Sequence, residues 1–398
     1  MIHYGKQLID EDDIEAVVRI LRSSYLTQGP AVESFEEGLC KATGAKFAVA
    51  VNSGSAALYV TYAALGVGQG HRVWVPAITF AATANAAVML GATVKFIDVD
   101  PLTGNVSLPG LEAMLALAQK TGELPDVVVA VHMAGYACDM LALEQLSKIY
   151  GFRIIEDAAH ALGAQHGYFQ IGGCNQSEAA CFSFHPVKSI TTGEGGAILT
   201  NNAGLAIKAR ILRHHGIVRD VAMLYDSNLP AYHYEQQDLG FNFRLSDIHA
   251  ALGLSQLAKL SRFIKSRQRI ARAYYQRLID EPSIRLPVES DESAWHLYIV
   301  HFSEASTRDK AYADLKNQGV LSAVHYLPVY RHPYYQETYP GVCLPGAERF
   351  YDGALSLPIY PDLSDYELDR ICQCILATVA AQTDCMSEDA QTRGSLLP

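Results

Sequence analysis

The chain has 398 residues and a formal net charge of -11 at pH 7, with 49% hydrophobic and 18% charged residues. This is the composition of a globular protein with enough chain for two or three domains, and the acidic balance argues against general nucleic-acid binding. No apolar run reaches the roughly twenty residues of a membrane span, and the first residues lack the hydrophobic core of a signal peptide, so we expect a cytoplasmic protein.

Eight cysteines are scattered along the chain without a C-x-x-C pair or a matching histidine pattern. Cys372 and Cys374 lie two residues apart on a predicted helix, where their side chains point in different directions. We interpret the cysteines as buried or free thiols and predict no disulfide and no metal site.

Between Phe47 and Leu199, short runs rich in valine, isoleucine and alanine alternate with longer amphipathic segments. This pattern predicts an α/β domain with a mostly parallel sheet covered by helices. The predicted strands are Phe47–Val51, Arg72–Val75, Thr93–Asp98, Val127–His132, Arg153–Asp157 and Ala197–Thr200. Asp98, His132 and Asp157 end three of these strands, at the edge where open α/β sheets bind their ligands.

After Arg244 the pattern changes, and a helical periodicity from Ser246 to Leu278 predicts a helix that bridges into a smaller α+β domain. The elements predicted there are strands Leu297–Phe302 and Ala323–His325 and helices near Arg308–Gln318 and Asp365–Ala381. We therefore predict an N-terminal arm and large domain over 1–250, the bridging helix and small domain over 251–383, and a disordered tail over 384–398.

The segment from Ile155 to Ala197 is the most informative part of the chain. Asp157 ends an apolar strand, and Lys188 precedes the glycine-rich stretch Thr191–Gly196. A lysine amine can form a Schiff base with pyridoxal phosphate (PLP), and a carboxylate can keep the pyridine nitrogen protonated so that the ring accepts electrons. A surface lysine and a helix-capping aspartate are the plainer readings, but the pair at this spacing favours a PLP enzyme for amino-group chemistry.

Further candidates for the same site lie around these two residues. The segment Asn52–Leu58 follows a strand and opens a helix, so its amides and the Ser55 hydroxyl favour a phosphate site, although such turns are also glycine-rich for steric reasons. Ser183 is a second hydroxyl for the phosphate, Phe80 is placed to stack on a flat ring, and His160 lies one turn after Asp157. Each of these also fits a structural role in a strand or core.

Six motifs follow one another along the chain: Asn52–Leu58, Glu156–His160, Phe182–Phe184 with Lys188, Gly193–Gly196, Asn242–Arg244 and His325–Pro328. In combination they resemble the DegT/DnrJ/EryC1/StrS family of sugar-nucleotide aminotransferases, and the resemblance extends from Tyr4 to about Ala381. It implies a PLP-dependent transferase of fold type I, aspartate-aminotransferase-like. It also implies a homodimer whose active sites lie at the subunit interface.

The resemblance implies a role for each matching residue. Lys188 would be the catalytic lysine that carries the cofactor, and Asp157 would pair with the pyridinium nitrogen. The residues implied to contact the cofactor are Gly54, Ser55, Ala56, Phe80, Asp157, His160, Ser183, Lys188 and, from the second subunit, Asn242. The residues implied to contact the sugar nucleotide are Tyr4, Lys6, Ser24, Tyr25, Leu26, Thr27, Arg244, Ala323, Val324, His325 and Tyr326.

The substrate contacts have plainer readings as well. Tyr4 also fits an anchor for the N-terminal arm, and His325 with Tyr326 also fits a domain-packing pair. In the functional reading, Lys6, Arg244 and His325 offset the charge of a diphosphate in an acidic protein.

Within the family, the chain resembles most the pseudaminic acid branch, in the segments Leu26–Gly29, Ala159–Gly163, Phe184–Thr192 and Ala323–Tyr326. Many relatives carry glutamine at the position of His160, and this difference favours the pseudaminic acid branch over the lipid A aminoarabinose type. This branch implies L-glutamate as the donor and C4 of UDP-2-acetamido-2,6-dideoxy-β-L-arabino-hex-4-ulose as the acceptor. The alternatives are a transaminase for another nucleotide-linked keto-deoxy sugar and a PLP-binding regulatory protein without turnover. Dehydratases of this fold carry histidine in place of Lys188 and are therefore disfavoured.

Overall fold

The computed structural model of the chain describes residues 1–226, 230 and 232–394, with side chains up to residue 382. The helices are α1 (Glu11–Leu21), α2 (Pro30–Thr43), α3 (Gly54–Ala64), α4 (Ala82–Met89), α5 (Leu108–Thr121), α6 (Met140–Tyr150), α7 (Ala203–Leu212), α8 (Asp247–Leu257), α9 (Leu260–Leu278), α10 (Ala305–Asn317), α11 (Pro333–Thr338), α12 (Pro345–Gly353) and α13 (Asp365–Gly394). The strands are β1 (Phe47–Val51), β2 (Arg72–Pro76), β3 (Thr93–Ile97), β4 (Val127–Val131), β5 (Arg153–Asp157), β6 (Gln165–His166), β7 (Phe169–Gln170), β8 (Ala179–Ser183), β9 (Gly196–Thr200), β10 (Ile217–Val218), β11 (Glu235–Gln236), β12 (Ile284–Arg285), β13 (Tyr298–Phe302) and β14 (Ala354–Leu357).

The main sheet has seven strands in the order β1-β9-β8-β5-β4-β2-β3, and β9 runs antiparallel to both of its neighbours. The other neighbouring pairs are parallel. Every residue of β4 is buried, as expected for a strand covered by helices on both faces. Because the carboxyl ends of parallel strands share one edge, β5 and β8 end side by side, with Asp157 paired to Cys181.

All six strands predicted for this sheet are present, each within one residue of its predicted bounds. The prediction lacked β8, because its small residues do not form a β-branched run.

Two other predictions were wrong. The single helix from Ser246 to Leu278 is two helices, α8 and α9, and the break lies at Ala258 and Lys259, where the Lys259 amine pairs with Asp10 and with Asp13 at 2.9 Å.

The second wrong prediction is the strand Ala323–His325, which pairs with the sheet only at Ala323, through a single bridge to Ser356. The chain leaves the sheet there because the His325 ring bonds to the Ser356 hydroxyl at 2.8 Å and the next residue lines the main cavity. The C-terminal part is otherwise α+β as predicted, with β12, β13 and β14 in one antiparallel sheet against which α10 packs.

The N-terminal arm crosses to the C-terminal part of the molecule. The amide of Ile2 donates to the carbonyl of Gly319, and the amide of Leu321 donates to the carbonyl of Ile2. The buried Ile2 side chain belongs to the C-terminal hydrophobic core. Helix α8, which spans the predicted boundary at 250, packs against α1 and α2. The division into domains stays a prediction.

The final helix continues into the segment predicted as a tail. Helix α13 ends at Gly394, whereas residues 395–398 lie outside the described residues. The segment 384–393 contains neither proline nor glycine, so nothing in its sequence interrupts a helix. Among the described helices, none is both long and apolar enough to cross a membrane.

Candidate active site

A cavity of about 440 Å³ opens where β5 and β8 end and α3 begins. Ten residues that the sequence predicted for the site line it: Tyr4, Gly54, Ser55, Phe80, Asp157, His160, Ser183, Lys188, His325 and Tyr326. Strands of the large sheet, the first turn of a helix and a loop of the C-terminal part therefore converge on one space. The sheet edge and the order of its strands account for this convergence.

Lys188 lies in a loop that folds back on itself after β8. The amide of Phe184 donates to the carbonyl of Gly195, and the amide of Thr192 donates to the carbonyl of Phe184, so both ends of the loop are pinned. Burial lowers the pKa of Lys188 to about 8, and the carboxylate of Asp157 opposes this effect. Near neutral pH, a far larger fraction of this amine is therefore unprotonated than of an ordinary lysine. An unprotonated amine can act as a nucleophile and as a base.

Asp157 is a buried carboxylate at the end of β5. The Thr83 hydroxyl donates to its Oδ2 at 2.7 Å, and the amide of Ala159 donates to its Oδ1 at 3.3 Å. The Thr79 hydroxyl lies 2.7 Å from that of Thr83 and continues the network. These donors fix the orientation of the carboxylate. Sequence reasoning missed Thr83, and the only signal available was its position in the same segment as Phe80.

The first turn of α3 has the geometry of an anion site. The Ser53 hydroxyl accepts from the amide of Ala56 at 3.1 Å, which leaves the first two helical amides, of Gly54 and Ser55, without an acceptor inside the helix. A Cβ on Gly54 would lie 2.8 Å from Cβ of Ser183, so β8 approaches this turn closely. Two free amides and the hydroxyls of Ser55 and Ser183 are suited to a phosphate group. The amide of Ala56 is already engaged.

Two aromatic side chains and a histidine also line the cavity. Phe80 is 61% exposed at the cavity, and its ring centroid lies 6.2 Å from that of Tyr326. Nε2 of His160 lies 3.1 Å from the Tyr326 hydroxyl, while its Nδ1 is buried without a partner among the described residues. Burial and the neighbouring Lys188 hold the pKa of His160 well below its ordinary value, so the ring is neutral.

The residues around this cavity fit PLP. A buried, oriented carboxylate suits a pyridinium nitrogen, and a lysine with a lowered pKa suits an aldehyde. The turn of α3 suits a phosphate, and the unpartnered Nδ1 of His160 is a buried polar atom that a bound group can satisfy.

The other predicted contact residues lie outside the cavity of one chain: Lys6, Ser24, Tyr25, Leu26, Thr27, Ala56, Asn242, Arg244, Ala323 and Val324. Lys6 pairs with Asp362 at 3.0 Å, and the guanidinium of Arg244 donates to Nδ1 of His214 at 2.7 Å. Asn242 is exposed, and its carbonyl accepts from the side chain of Asn52.

Two of the three strand-end residues have structural roles. Asp98 accepts from the amides of Gly346 and Ala347 at 2.9 and 2.8 Å and so caps α12. His132 is buried, accepts from the amide of Cys138 at Nδ1 and lies 3.0 Å from the Glu156 carboxylate at Nε2. Neither side chain lines the cavity, so Asp157 is the one of these three residues that lies at it.

A sequence profile of the DegT/DnrJ/EryC1/StrS aminotransferase family matches residues 7–376. The chain belongs to this family. The spore coat polysaccharide biosynthesis protein SpsC of Bacillus subtilis is 36% identical over 380 residues, which cover 94% of this chain and 95% of SpsC.

Solved structures agree with the family assignment. The structure of Helicobacter pylori PseC, an aminotransferase involved in the biosynthesis of pseudoaminic acid, matches with a TM-score of 0.88 at 30% identity, covering 96% of this chain and 99% of PseC. The PLP form of the sugar aminotransferase Spr1654 of Streptococcus pneumoniae matches with a TM-score of 0.84 at 28% identity, covering 94% and 97% of the two chains. This chain is therefore a PLP-dependent sugar aminotransferase with the predicted fold.

The close packing behind the phosphate site can be tested at Gly196. A Cβ there would lie 2.4 Å from the carbonyl oxygen of Ser53, so the variant Gly196→Ala must displace the turn of α3. Loss of one charge-assisted hydrogen bond costs about 1.5–3 kcal/mol, so we expect the dissociation constant of PLP, measured by fluorescence quenching, to rise roughly 10- to 100-fold.

The matched control is Gly204→Ala in α7, where the nearest atom to the new Cβ, Oδ1 of Asn202, is 3.3 Å away. This variant is expected to bind PLP as the unmodified protein does. Unchanged PLP affinity in Gly196→Ala would contradict the phosphate assignment.

Proposed function

We propose that this enzyme transfers the amino group of L-glutamate to C4 of UDP-2-acetamido-2,6-dideoxy-β-L-arabino-hex-4-ulose and produces the 4-amino sugar nucleotide used for pseudaminic acid. The observation that carries the proposal is the likeness to PseC over nearly the whole of both chains. The motifs at His160, Lys188 and Ala323–Tyr326 support it, since four of these residues, His160, Lys188, His325 and Tyr326, line one cavity.

A second candidate function has its own support. SpsC is a spore coat polysaccharide biosynthesis protein, and its identity to this chain is 36%, against 30% for PseC. The alternative is therefore amination of another nucleotide-linked keto-deoxy sugar for a surface polysaccharide. Both candidates use the same PLP-binding residues and differ in the part of the site that contacts the sugar.

Proton transfer falls to Lys188 in either case. The bound cofactor supplies an aldehyde that accepts the amino group and a ring that withdraws electrons. Lys188 would hold the cofactor through its Nζ. With the donor bound, this Nζ, whose pKa is about 8, would take the Cα proton of glutamate as a general base and return it as a general acid. Water would supply the keto oxygen of the 2-oxoglutarate that leaves. With the keto sugar, the same amine moves a proton in the opposite direction.

Other residues of the chain orient the reactants. Asp157, held by Thr83, places a fixed negative charge at the end of β5. The turn at Gly54 and Ser55 also lines the cavity and would anchor a phosphate there. Phe80 offers an exposed aromatic face at the cavity, suited to stack on a flat ring.

We also propose a homodimer with shared sites, because one chain leaves the site electrostatically incomplete. Lys188 is the only lysine or arginine among the described residues that line the cavity, whereas both Asp157 and Glu194 are there. A phosphate and a nucleotide diphosphate need additional cations or amides. Asn242 points to the source, since it is exposed outside its own cavity.

The surface near Asn242 is suited to a second subunit. Tyr232 is 82% exposed, Tyr234 48% and Phe241 51%, and Phe80 at the cavity is 61% exposed. Exposed aromatic side chains of this kind are enriched at protein interfaces. Arg219 lies over the Tyr234 ring at 4.7 Å, so this surface also carries a cation.

The substrate is tested with purified protein, PLP, L-glutamate and the UDP-4-keto sugar, with the product followed by mass spectrometry and NMR. We expect a 4-amino sugar nucleotide and an equal amount of 2-oxoglutarate. The Lys188→Ala variant is the control, with turnover reduced by about 10⁴-fold or more because it lacks the acid–base group. Formation of 2-oxoglutarate without amination of this sugar would contradict the proposed acceptor and favour the alternative one.

The shared site is tested by mixing two inactive variants, Lys188→Ala and Asn242→Asp, whose hybrid formation is verified by native mass spectrometry. If Asn242 of the partner subunit completes the site, each hybrid dimer has one intact site and one doubly altered site. Random exchange makes half of the dimers hybrid, so about one quarter of the activity should return. Hybrids without activity would contradict a role of Asn242 across the interface.

A further inference from the structure

His160 contacts two rings from the C-terminal part of the chain. The Tyr326 hydroxyl lies 3.1 Å from its Nε2, and the two rings are stacked at 6.0 Å between centroids. The ring centroid of His296 lies 4.3 Å from that of His160, with the two rings tilted by 42°. Nδ1 of both histidines is buried and has no partner among the described residues. A pair of closely packed histidine rings with unpartnered nitrogens, in contact with the cavity, needs a physical reason.

The backbone around His296 is fixed by hydrogen bonds and by close packing against the turn after β4. The amide of Ala294 donates to the carbonyl of Gly135, and the amide of Leu297 donates to the carbonyl of Ala134, so the segment is pinned to the turn after β4. A Cβ on Gly135 would lie 3.1 Å from the amide nitrogen of His296 and 3.1 Å from the carbonyl oxygen of His160. Only glycine allows these two backbones to come so close.

Arg267 fixes the same segment from α9. Its buried guanidinium donates to the carbonyls of Trp295, His296 and Ile359 at 3.2, 3.3 and 2.8 Å. No carboxylate pairs with it within the described part of the chain, and burial lowers the pKa of Arg267 to about 10. An uncompensated cation therefore lies behind His296 and opposes protonation of that ring.

We propose that His296 is a positioning residue of the cofactor site, which packs against His160 and holds that ring fixed and shielded from water while its Nδ1 stays free for the bound cofactor. The inference depends on the cofactor site and not on the identity of the sugar. Nothing in the sequence pattern pointed to His296, because it lies far along the chain, between the bridging helix and β13.

The charged and titratable groups that face the two rings come from several elements. They are Lys188 after β8, Arg267 in α9, and His325 and Tyr326 before α11. Burial and Lys188 lower the pKa of His325 to about 4, so it adds no positive charge at neutral pH. Burial is the largest cause of the lowered pKa of both His160 and His296. Water that reached the two rings would therefore remove most of this lowering.

The test compares His296→Ala, which removes the ring, with His296→Phe, which keeps an aromatic face without the nitrogens. The first readout is a histidine NMR titration of the apoprotein from pH 5 to 8, with the His160 signal assigned by its loss in His160→Gln. We expect no titration of His160 in the unmodified protein or in His296→Phe. In His296→Ala, water enters and the pKa of His160 returns toward its ordinary value of about 6.5.

The second readout is the dissociation constant of PLP. Loss of an aromatic ring contact should weaken PLP binding roughly three- to tenfold in His296→Ala, and His296→Phe should restore it. The matched control is His301→Ala, which removes another buried histidine. The ring centroid of His301 lies 4.8 Å from that of Phe350, and His301 does not line the cavity, so this variant should change thermal stability alone.

Three results would overturn the inference. In the first, His296→Ala keeps both the neutral His160 and the PLP affinity of the unmodified protein. In the second, His296→Phe is as defective as His296→Ala, which would assign the role to a nitrogen of His296. In the third, His301→Ala weakens PLP binding equally, which would make the effect a general loss of stability.

Discussion

The placement of the Lys188 amine beside the Asp157 carboxylate is the interaction on which this active site depends. Burial alone would push the pKa of the amine down, and the carboxylate limits that shift to a value of about 8. The carboxylate in turn stays oriented through the hydroxyl of Thr83. The balance arises from the sheet, because β5 and β8 are neighbours and end at the same edge. One amine can therefore serve as nucleophile, base and acid near neutral pH.

The C-terminal part of the chain completes the site instead of only covering it. Tyr326 and His296 both contact His160, and Arg267 fixes the backbone that carries His296. The N-terminal arm runs the other way and packs Ile2 into the C-terminal core. Because contacts cross in both directions, the geometry of the cavity depends on how the two parts pack. At Gly135 and Gly196 the neighbouring backbone is so close that no Cβ can be accommodated without a shift.

The sequence predicted those features that local patterns encode. Lys188, Asp157 and the turn at Gly54 lie next to strands whose apolar runs are recognisable, and the family assignment, fold class and cofactor were confirmed. Thr83 and His296 were missed because their roles arise from contacts between segments far apart in the chain. The break in the predicted helix after Ser246 was missed for the same reason, since it depends on the pairing of Lys259 with α1. The substrate contacts stay predictions.

The assignment of Lys188 as the covalent cofactor site, with an amine pKa near 8, can be tested directly. The experiment mixes the apoprotein with PLP across pH 6 to 11, traps the linkage with borohydride and maps the modified peptide by mass spectrometry. The unprotonated amine must react, so capture should rise through a midpoint near pH 8 at Lys188. Labelling of another lysine, or a midpoint near the ordinary lysine value of about 10.4, would contradict the account.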